Sequence, residues 1–342
     1  MIDASQQNQE FVSAIEKCLF LIYLDDASPT DFRERADAFL LDDNSNRWLD
    51  KTVGFVICTN GVTSMFCEHT MVDGTTFGGL IQAIVSGVAD HSQSSGNSVT
   101  LASHCPVDFS YLPFTMPPSL GDYVHQLRAE HIAAHKGYTL CNHEHTAYGA
   151  KYLRGFKLPP KTVIQLLIQI AVRRYFGHNP TGSVDVISQR AFKGGRTDMI
   201  YIATPEVSTF CAAAEDPGTT PRERRRLFLE AVKSHARLVS LSVRGRAWRW
   251  HLMALKEMLE PGEALPELYT DTIYGRTSER PVCTSFTEFG LPEMGRCQPL
   301  KTDLWVGVQV FEERCVLTID LSFSPPSLFC CLVLFVLAMI IC

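Results

Sequence analysis

Residues 65–74 read MFCEHTMVDG, and this stretch predicts a strand, a turn and the first residue of a helix. The apolar run that ends at Cys67 is typical of a strand, and residues 74–89 have the spacing of an amphipathic helix. His69 lies between them, four residues before Asp73, in the pattern HxxxDG. The motif therefore predicts that His69 lies in a turn between a strand and a helix.

Histidine is the side chain whose unperturbed pKa permits proton transfer in both directions near neutral pH. His69 is therefore a candidate general base, which would activate a hydroxyl group and then protonate a leaving group. Asp73 would hold the site in shape through a charge or a hydrogen bond, and Gly74 would let a substrate approach the backbone. Taken alone, the motif fits a structural histidine beside a helix-start aspartate equally well.

The segments on either side of the motif predict further strands and helices. Residues 52–67 form two strand-like runs around Asn60-Gly61, a dipeptide typical of a tight hairpin. Residues 9–24 carry helical spacing that turns into an apolar strand. Residues 91–98, HSQSSGNS, have the composition of a polar loop.

A proline-marked stretch at residues 112–118 is the best candidate for a domain boundary. Beyond it, the spacing predicts helices over residues 119–135, 159–176 and 221–259, the second with an apolar stripe behind an opening proline. Strands are predicted at residues 282–286, 304–311 and 316–321.

Composition limits the class of protein. The 342 residues carry a net charge of -6 and 46 % hydrophobic residues, so a sizeable core is expected and a nucleic-acid partner is not. The twelve cysteines are scattered without CxxC spacing and predict reduced thiols in the core. The first residues lack the features of a signal peptide, which favours an intracellular location.

The last segment is unusual, because residues 328–342 form an uncharged apolar run of 15 residues. A helix that spans a membrane needs about 20. The run fits a buried strand or helix, a tail anchor, or a gene end that was read wrongly. Membrane association through this tail is thus conceivable but not favoured.

Five sequence blocks then follow one another along the chain. They are NRWLDK at 46–51, QRAFKGGRTD at 189–198 with ATP at 203–205, RGRAWRWHLMALK at 244–256, LPELYTD at 265–271 and CTS at 283–285. Through these blocks and their order, the chain resembles the carnitine/choline acyltransferase family over nearly its whole length. The last block is CTS where the family usually has STS.

The resemblance implies an α/β fold, with two-layer sheet-and-helix domains of the coenzyme A-dependent acyltransferase type. Residues 1–115 would be the end of the N-terminal domain, which carries His69, and this first domain would be incomplete. Residues 116–342 would be the C-terminal domain, which binds coenzyme A and the acceptor, with residues 324–342 as an atypical apolar tail. Family members are roughly twice as long as this chain.

The resemblance also implies the chemistry. His69 would be the general base, no acyl-enzyme would form, and Asp73 would support the histidine. Ser285 would donate a hydrogen bond to the oxyanion of the tetrahedral intermediate. Acyl-coenzyme A would be a co-substrate, with no permanently bound cofactor, and its phosphates would meet a cluster of basic side chains: Arg154, Lys157, Lys151 and Lys161.

The predicted acceptor pocket departs from the family pattern. Thr197 of the GRT motif is kept, but Val184 stands at the family's tyrosine position and Trp250 at its arginine position, with Thr284 nearby. Arginine offers a planar fork for a carboxylate and tryptophan does not, so carnitine itself is doubtful. The expected acceptor is a small, less acidic alcohol, such as a polyol or a quaternary-ammonium alcohol that lies on Trp250.

Two other classes of function are alternatives, metal-dependent hydrolysis and an inactive module, and the sequence does not favour the first. His143-Glu144-His145 has no third ligand at a suitable spacing, so no metal site is predicted. The stronger competitor is an inactive acyltransferase-like chain that acts only as a binding or structural module.

Overall fold

The computed structural model describes residues 5–41, 45–94, 110–135, 139–277, 279–287 and 303–321. They form helices and sheets in two compact units, Met1–Gly137 and Tyr138–Cys342. The predicted α/β class is confirmed.

The first unit contains a three-stranded sheet in the order β1-β2-β3, with β1 parallel and β3 antiparallel to the central strand. The strands are β1 (Leu21–Asp25), β2 (Val53–Cys58) and β3 (Thr63–Cys67). Its helices are α1 (Gln6–Lys17), α2 (Phe32–Ala36, continued by a π-helical turn at Asp37–Leu41), α3 (Gly74–Ser94) and α4 (Pro118–His135). The predicted Asn60-Gly61 hairpin is confirmed, and Gly61 adopts the φ of 80° that favours glycine.

The NRWLDK block ties this unit together. The buried guanidinium of Arg47 pairs with Asp25 at 2.5 Å. The backbone N–H of Ala27 donates a hydrogen bond to the Asp25 carboxylate, and this bond, followed by the contact with Arg47, holds the pKa of Asp25 below its usual range. The backbone N–H of Trp48 donates to the hydroxyl of Tyr23, and Lys51 donates to the carbonyl of Glu16. The block thus fastens α1 and β1 to the hairpin that leads to His69.

The boundary between the two compact units lies C-terminal to the proline-marked stretch at residues 112–118, which belongs to the first unit. The fully buried Asn8 of α1 makes two hydrogen bonds with the backbone of Thr115, and Phe11 packs on Phe114 with ring centroids 5.2 Å apart. This stretch is therefore docked on the first unit. The assignment of residues 1–115 and 116–342 to two acyltransferase domains stays a prediction.

The second unit is built on a six-stranded mixed sheet in the order β4-β9-β8-β7-β5-β6. The strands are β4 (Thr139–His145), β5 (Val184–Ser188), β6 (Thr197–Tyr201), β7 (Val282–Thr287), β8 (Leu304–Val310) and β9 (Cys315–Leu321). The helices are α5 (Ala150–Gly155), α6 (Pro160–Phe176), α7 (Pro205–Glu215), α8 (Pro221–Val243), α9 (Arg249–Glu257), α10 (Glu267–Thr270) and α11 (Thr272–Arg276). The strands predicted near residues 282, 304 and 316 are confirmed.

Helices α6, α7 and α8 pack on one face of this sheet and form the main core. Every residue of α6 from 162 to 172 is buried, so the helix is enclosed on all sides and not only along the predicted apolar stripe. An amphipathic helix would expose its polar residues, but Thr162, Gln165 and Gln169 are buried, because α6 lies between the sheet and the other helices.

Two secondary-structure predictions were wrong in part. The helix predicted over residues 221–259 is two helices, because Gly245 has a φ of 67° and the backbone N–H of Arg246 returns to Leu241. The polar loop predicted at residues 91–98 is helical as far as Ser94, and its remainder lies outside the described residues.

The cysteine prediction holds only in part. Cys18, Cys58, Cys211 and Cys315 are free thiols, whereas Cys141 is disulfide-bonded, and there the prediction was wrong. The apolar tail lies outside the described residues. Within the ranges described, no helix is long and apolar enough to cross a membrane.

Candidate active site

His69 lies in the turn between β3 and α3. Its Nδ1 atom is 3.5 Å from Oδ1 of Asp73, and the carbonyl of Asp73 accepts the N–H of Phe77 as α3 begins. The His69 side chain is 52 % exposed and that of Asp73 only 8 %, so a buried carboxylate orients an accessible imidazole. The distance exceeds that of a direct hydrogen bond, and such contacts often tighten when a substrate binds.

Glu68, which the sequence analysis did not single out, is a second acid beside the imidazole. Its carboxylate accepts hydrogen bonds from the hydroxyl and the backbone N–H of Thr70. These bonds, the hydroxyl first, hold the pKa of Glu68 below its usual range. Its position directly before His69 was the only signal in the sequence.

Ser285 lies on the sheet face opposite to helices α6–α8. Side chains alternate along a strand, so Cys283 and Ser285 of β7 share one face while Thr284 and Phe286 share the other. Cys283 packs there with Val184 and Trp305, next to Met199 and Tyr201. Ser285 is paired with Gly307, over which the Trp305 ring lies.

Two predicted acceptor residues are brought to this same face, which we call the Ser285 face. Val184 of β5 is part of its apolar cluster, and Thr197 shares the alternation of Met199 and Tyr201 on β6. Thr284 lies on the other face, where it is fully buried and its hydroxyl accepts a hydrogen bond from Gln165 at 2.8 Å. The structure therefore groups Val184 and Thr197 with Ser285 and separates Thr284 from them.

Trp250 does not offer the contacts expected of it. Its indole N–H donates to the carbonyl of Thr197 at 3.1 Å, and the guanidinium of Arg249 lies 4.8 Å from the centre of its ring. A cationic acceptor on that face would meet a second cation. The predicted cation–π contact with a quaternary-ammonium alcohol is therefore disfavoured there by charge repulsion.

Most of the predicted phosphate-binding cations have carboxylate partners. Lys151 pairs with Glu313 at 2.8 Å and Arg154 with Glu312 at 2.7 Å, both at the surface. Lys161 turns toward the interior of the unit. Lys157 is exposed, with a φ of 60° that is uncommon for a residue with a side chain. The four cations thus do not form one open cluster.

The interior partner of Lys161 is a buried acid that sequence reasoning missed. Lys161 Nζ lies 3.4 Å from Oδ2 of the fully buried Asp185, and His235 Nε2 lies 3.9 Å from the same oxygen. His235 Nδ1 also contacts the Thr162 hydroxyl at 3.1 Å. The signal available in the sequence was weak: Asp185 shares its strand face with the apolar Ile187, which is consistent with a buried face.

Burial shifts both titrating groups of this cluster toward their neutral forms. Loss of hydration raises the pKa of Asp185 to about 6, although Lys161 works in the opposite direction. Loss of hydration, followed by the charge of Lys161, lowers the pKa of His235 to about 4. The neutral imidazole is therefore the form that the folded protein favours near neutral pH.

We expect Asp185 and His235 to give folding stability opposite pH dependences. The raised pKa of Asp185 contributes stability that is complete below about pH 4 and lost as the pH rises through about 6. The lowered pKa of His235 contributes stability that is complete above pH 6.5 and lost as the pH falls toward about 4. Each effect should reach no more than about 3 kcal/mol.

Urea unfolding of two variants between pH 4 and pH 7 separates these effects. The free energy of unfolding of Asp185→Asn, measured against the parent protein, should rise with pH, and that of His235→Asn should fall with pH. Constant offsets from lost contacts leave the slopes unchanged. Parallel pH profiles for the parent and both variants would contradict the assignment.

His143 and His145 of β4 do not form a recognisable metal centre. Burial lowers the pKa of both imidazoles, and His145 packs edge-on against Tyr148 with ring centroids 4.4 Å apart. Across the part of the chain that the structure describes, no three histidine, cysteine, aspartate or glutamate side chains are placed to hold a metal ion.

Known proteins resemble this chain over most of its length. The bovine (Bos taurus) peroxisomal carnitine O-octanoyltransferase is 26 % identical over 282 residues, which cover 81 % of this chain and 46 % of that protein. The highly reducing polyketide synthase ltbA of Aspergillus luteorubrus is 25 % identical over 92 % of this chain, but this is 10 % of its own length. The solved first condensation domain of the CDA synthetase is 11 % identical with a TM-score of 0.46, over 92 % of this chain and 73 % of that one.

The chain therefore spans about half the length of the carnitine O-octanoyltransferase that it matches. The family model described as choline/carnitine O-acyltransferase matches residues 1–310. The chain belongs to the choline/carnitine O-acyltransferase family.

Proposed function

We propose that this chain is an O-acyltransferase, which moves an acyl group from a thioester of coenzyme A to the hydroxyl group of a small acceptor. The observation that carries the proposal is the accessible imidazole of His69, set 3.5 Å from the buried carboxylate of Asp73 at a strand-to-helix turn. Membership of the family supports acyl transfer as the reaction. An intracellular location, without a nucleic-acid partner, is part of the proposal.

In the proposed mechanism His69 removes the hydroxyl proton of the acceptor while its oxygen attacks the thioester carbonyl. The Ser285 hydroxyl donates a hydrogen bond to the oxyanion of the tetrahedral intermediate. The intermediate then expels the thiolate, which takes the proton from His69. The acyl group passes directly from donor to acceptor, so no acyl-enzyme forms, and Asp73 stabilises the imidazolium in between.

Release of free thiol from acyl-coenzyme A tests this function. The chain should release thiol only when an alcohol is present, with a short, a medium and a long acyl chain compared in turn. Intact-mass analysis after incubation with the donor alone should show no acylated protein. Absence of thiol release with every donor and acceptor would favour the alternative, an inactive acyltransferase-like module.

A second candidate donor is a phosphopantetheine thioester that lacks the adenosine 3′-phosphate. The ion pairs of Lys151, Arg154 and Lys161 favour this donor, because these three cations already have carboxylate partners. Of the predicted phosphate-binding cluster, Lys157 alone has no carboxylate partner among the described residues. The resemblance to a protein named as a highly reducing polyketide synthase also supports a donor other than free acyl-coenzyme A. Surface ion pairs are weak, so a coenzyme A phosphate would still be able to displace the two glutamates.

Lys157→Gln separates the two donors. If coenzyme A phosphate binds here, the KM for acyl-coenzyme A should rise by about 3- to 10-fold, because a charge-assisted contact is lost. The KM for the matching acyl-pantetheine, which has no phosphates, should stay the same. Equal kinetics of both donors in the parent protein and no change in Lys157→Gln would favour the second candidate. Arg222→Gln, which removes one exposed cation from α8, is the charge-matched control.

A further inference from the structure

Ser285 lies where two strands of the sheet separate. Strand β7 pairs with β8 along its whole length. On its other side β7 pairs with β5 at only two of its described residues, Cys283 and Thr284. Ser285 is therefore the first residue of β7 beyond the junction with β5. Backbone pairing alone does not fix its distance from β5 and from the edge strand β6.

The two neighbours of Ser285 are held from the helix side of the sheet. Thr284 and Phe286 both point to that side, because side chains alternate along a strand. Gln165 of α6 donates a hydrogen bond to the Thr284 hydroxyl at 2.8 Å. Nζ of Lys161, one turn earlier on the same side of α6, lies 4.9 Å from the centre of the Phe286 ring. One turn of α6 thus contacts the residues on both sides of Ser285.

The Thr284 hydroxyl also joins β7 to β5. It donates to the backbone carbonyl of Val184 at 3.1 Å, and Oδ1 of Asp185 lies 3.5 Å from it. Thr284 is fully buried, so these contacts are shielded from water. Because Thr284 occupies the last paired position of the junction, its side chain holds β5 against β7 directly before Ser285.

Asp185 restrains the Lys161 side chain. The buried carboxylate of Asp185 lies 3.4 Å from the Lys161 ammonium group, whose side chain is two-thirds buried. A lysine side chain ordinarily samples many conformations. The ion pair favours the one that reaches Phe286. We call Lys161, Gln165, Asp185 and Thr284 the Thr284 network.

The placement of the Thr284 network indicates more than a contribution to stability. Burying polar and charged groups costs free energy that their pairing seldom returns in full, and apolar residues of similar size often stabilise a core equally well. Here the polar contacts that α6 makes with β7 fall on the two residues that flank Ser285. Such an arrangement is suited to hold one hydroxyl group in place.

We propose that Lys161, Gln165 and Asp185 are positioning residues, which act through Thr284 and Phe286 to fix the Ser285 hydroxyl for the reaction. Gln165 and Asp185 are buried on the opposite side of the sheet from Ser285, so they act through β7 and do not touch the substrate. The inference rests on the proposed function for the role of Ser285. The hold on β7, however, can be measured without turnover.

Thr284→Val is the first test, because it removes the hydroxyl and keeps the branched shape. Its kcat should fall by about 10- to 100-fold with both KM values unchanged, as expected for a reacting group that is misplaced by about 1 Å. Thr284→Ser keeps the hydroxyl and should retain most of the activity. Thr162→Val removes another buried hydroxyl of α6, which contacts His235, and as the matched control should keep the parent kcat. Thermal unfolding of each variant verifies the fold.

The same change in a Ser285→Ala background separates positioning from a general loss of structure. If the Thr284 network acts through the Ser285 hydroxyl, Thr284→Val should cause no further loss once that hydroxyl is gone. A general loss of structure would instead lower kcat by the same factor in both backgrounds. Equal factors would overturn the proposal.

Lys161→Met tests the other end of the network, with Asp185→Asn added so that the buried acid is not left without its cation. The double variant should lower kcat by about 3- to 10-fold, less than Thr284→Val, because Lys161 reaches β7 through a ring contact. The KM for acyl-coenzyme A should stay the same. A rise in this KM that acyl-pantetheine does not share would assign Lys161 to a donor phosphate and overturn its positioning role.

Hydrogen exchange measures the hold on β7 without turnover. In Thr284→Val, a peptide that covers β7 should exchange about 3- to 10-fold faster, as expected for one or two lost hydrogen bonds, while a peptide from β9 should be unchanged. If exchange rises but the parent protein never releases thiol, the hold on β7 stands and the proposed function fails. If the protein is active and Thr284→Val keeps the parent kcat, the positioning role is overturned whatever the exchange rate. Unchanged exchange in an inactive protein would overturn the hold itself.

Discussion

His69→Ala is expected to lower the rate of thiol release by about 10²- to 10⁴-fold, the usual contribution of a positioned general base. The imidazole is the group in the turn that can take the hydroxyl proton, and alanine leaves the buried Asp73 carboxylate without the ring that it orients. Stopped or continuous thiol detection at saturating donor and acceptor measures the effect on kcat.

Two controls make this result specific. His178→Ala removes an exposed imidazole in the second unit and should leave the rate unchanged. Asp73→Asn keeps the shape of the side chain but removes its charge, so it should lower kcat by less than the loss of the ring. A His69→Ala protein that is folded and fully active would remove this residue from the mechanism.

Ser285→Ala is expected to lower kcat by about 10²- to 10³-fold with little change in either KM, because an oxyanion donor acts mainly on the transition state. The Ser285 side chain lies on the sheet face that carries Val184 and Thr197, and the Ser285 backbone is paired with Gly307 on β8. Ser240→Ala, on a helix of the other side of the sheet, is the matched control and should have normal kinetics.

The form of the loss decides what Ser285 does. A rise in KM alone would assign the hydroxyl to substrate binding and contradict the oxyanion role. The His69→Ala/Ser285→Ala double variant should be less impaired than the product of the single effects, because residues that act in one step are not additive. Independent, multiplicative losses would indicate that the two residues serve different steps.

Local sequence predicted much of the secondary structure. Three features could be predicted because each depends on residues that are close in the chain. They are the Asn60-Gly61 hairpin, the end of β3 before His69 and the start of α3. The break between α8 and α9 depends on Gly245, a local signal that the strong helical pattern on either side concealed. The alternation along β7 was also readable, and it separates Ser285 from Thr284.

The partners of the charged residues could not be predicted from the sequence. Arg154 and Glu312 are separated by 158 positions, yet they form a close ion pair. Without that partner, Lys151, Arg154, Lys157 and Lys161 looked like one phosphate-binding cluster. Asp185 and His235 form their buried contact across two elements that no local pattern connects.

The sequence by itself determined the family, the α/β class and the HxxxDG motif, because these depend on blocks of neighbouring residues and on short-range periodicity. Only the tertiary structure decided which cations already have carboxylate partners, and that Lys161 and His235 lie beside the buried Asp185. The physical reason is that the charge a ligand encounters is set by distances in space, and strand order brings together residues from remote parts of the chain.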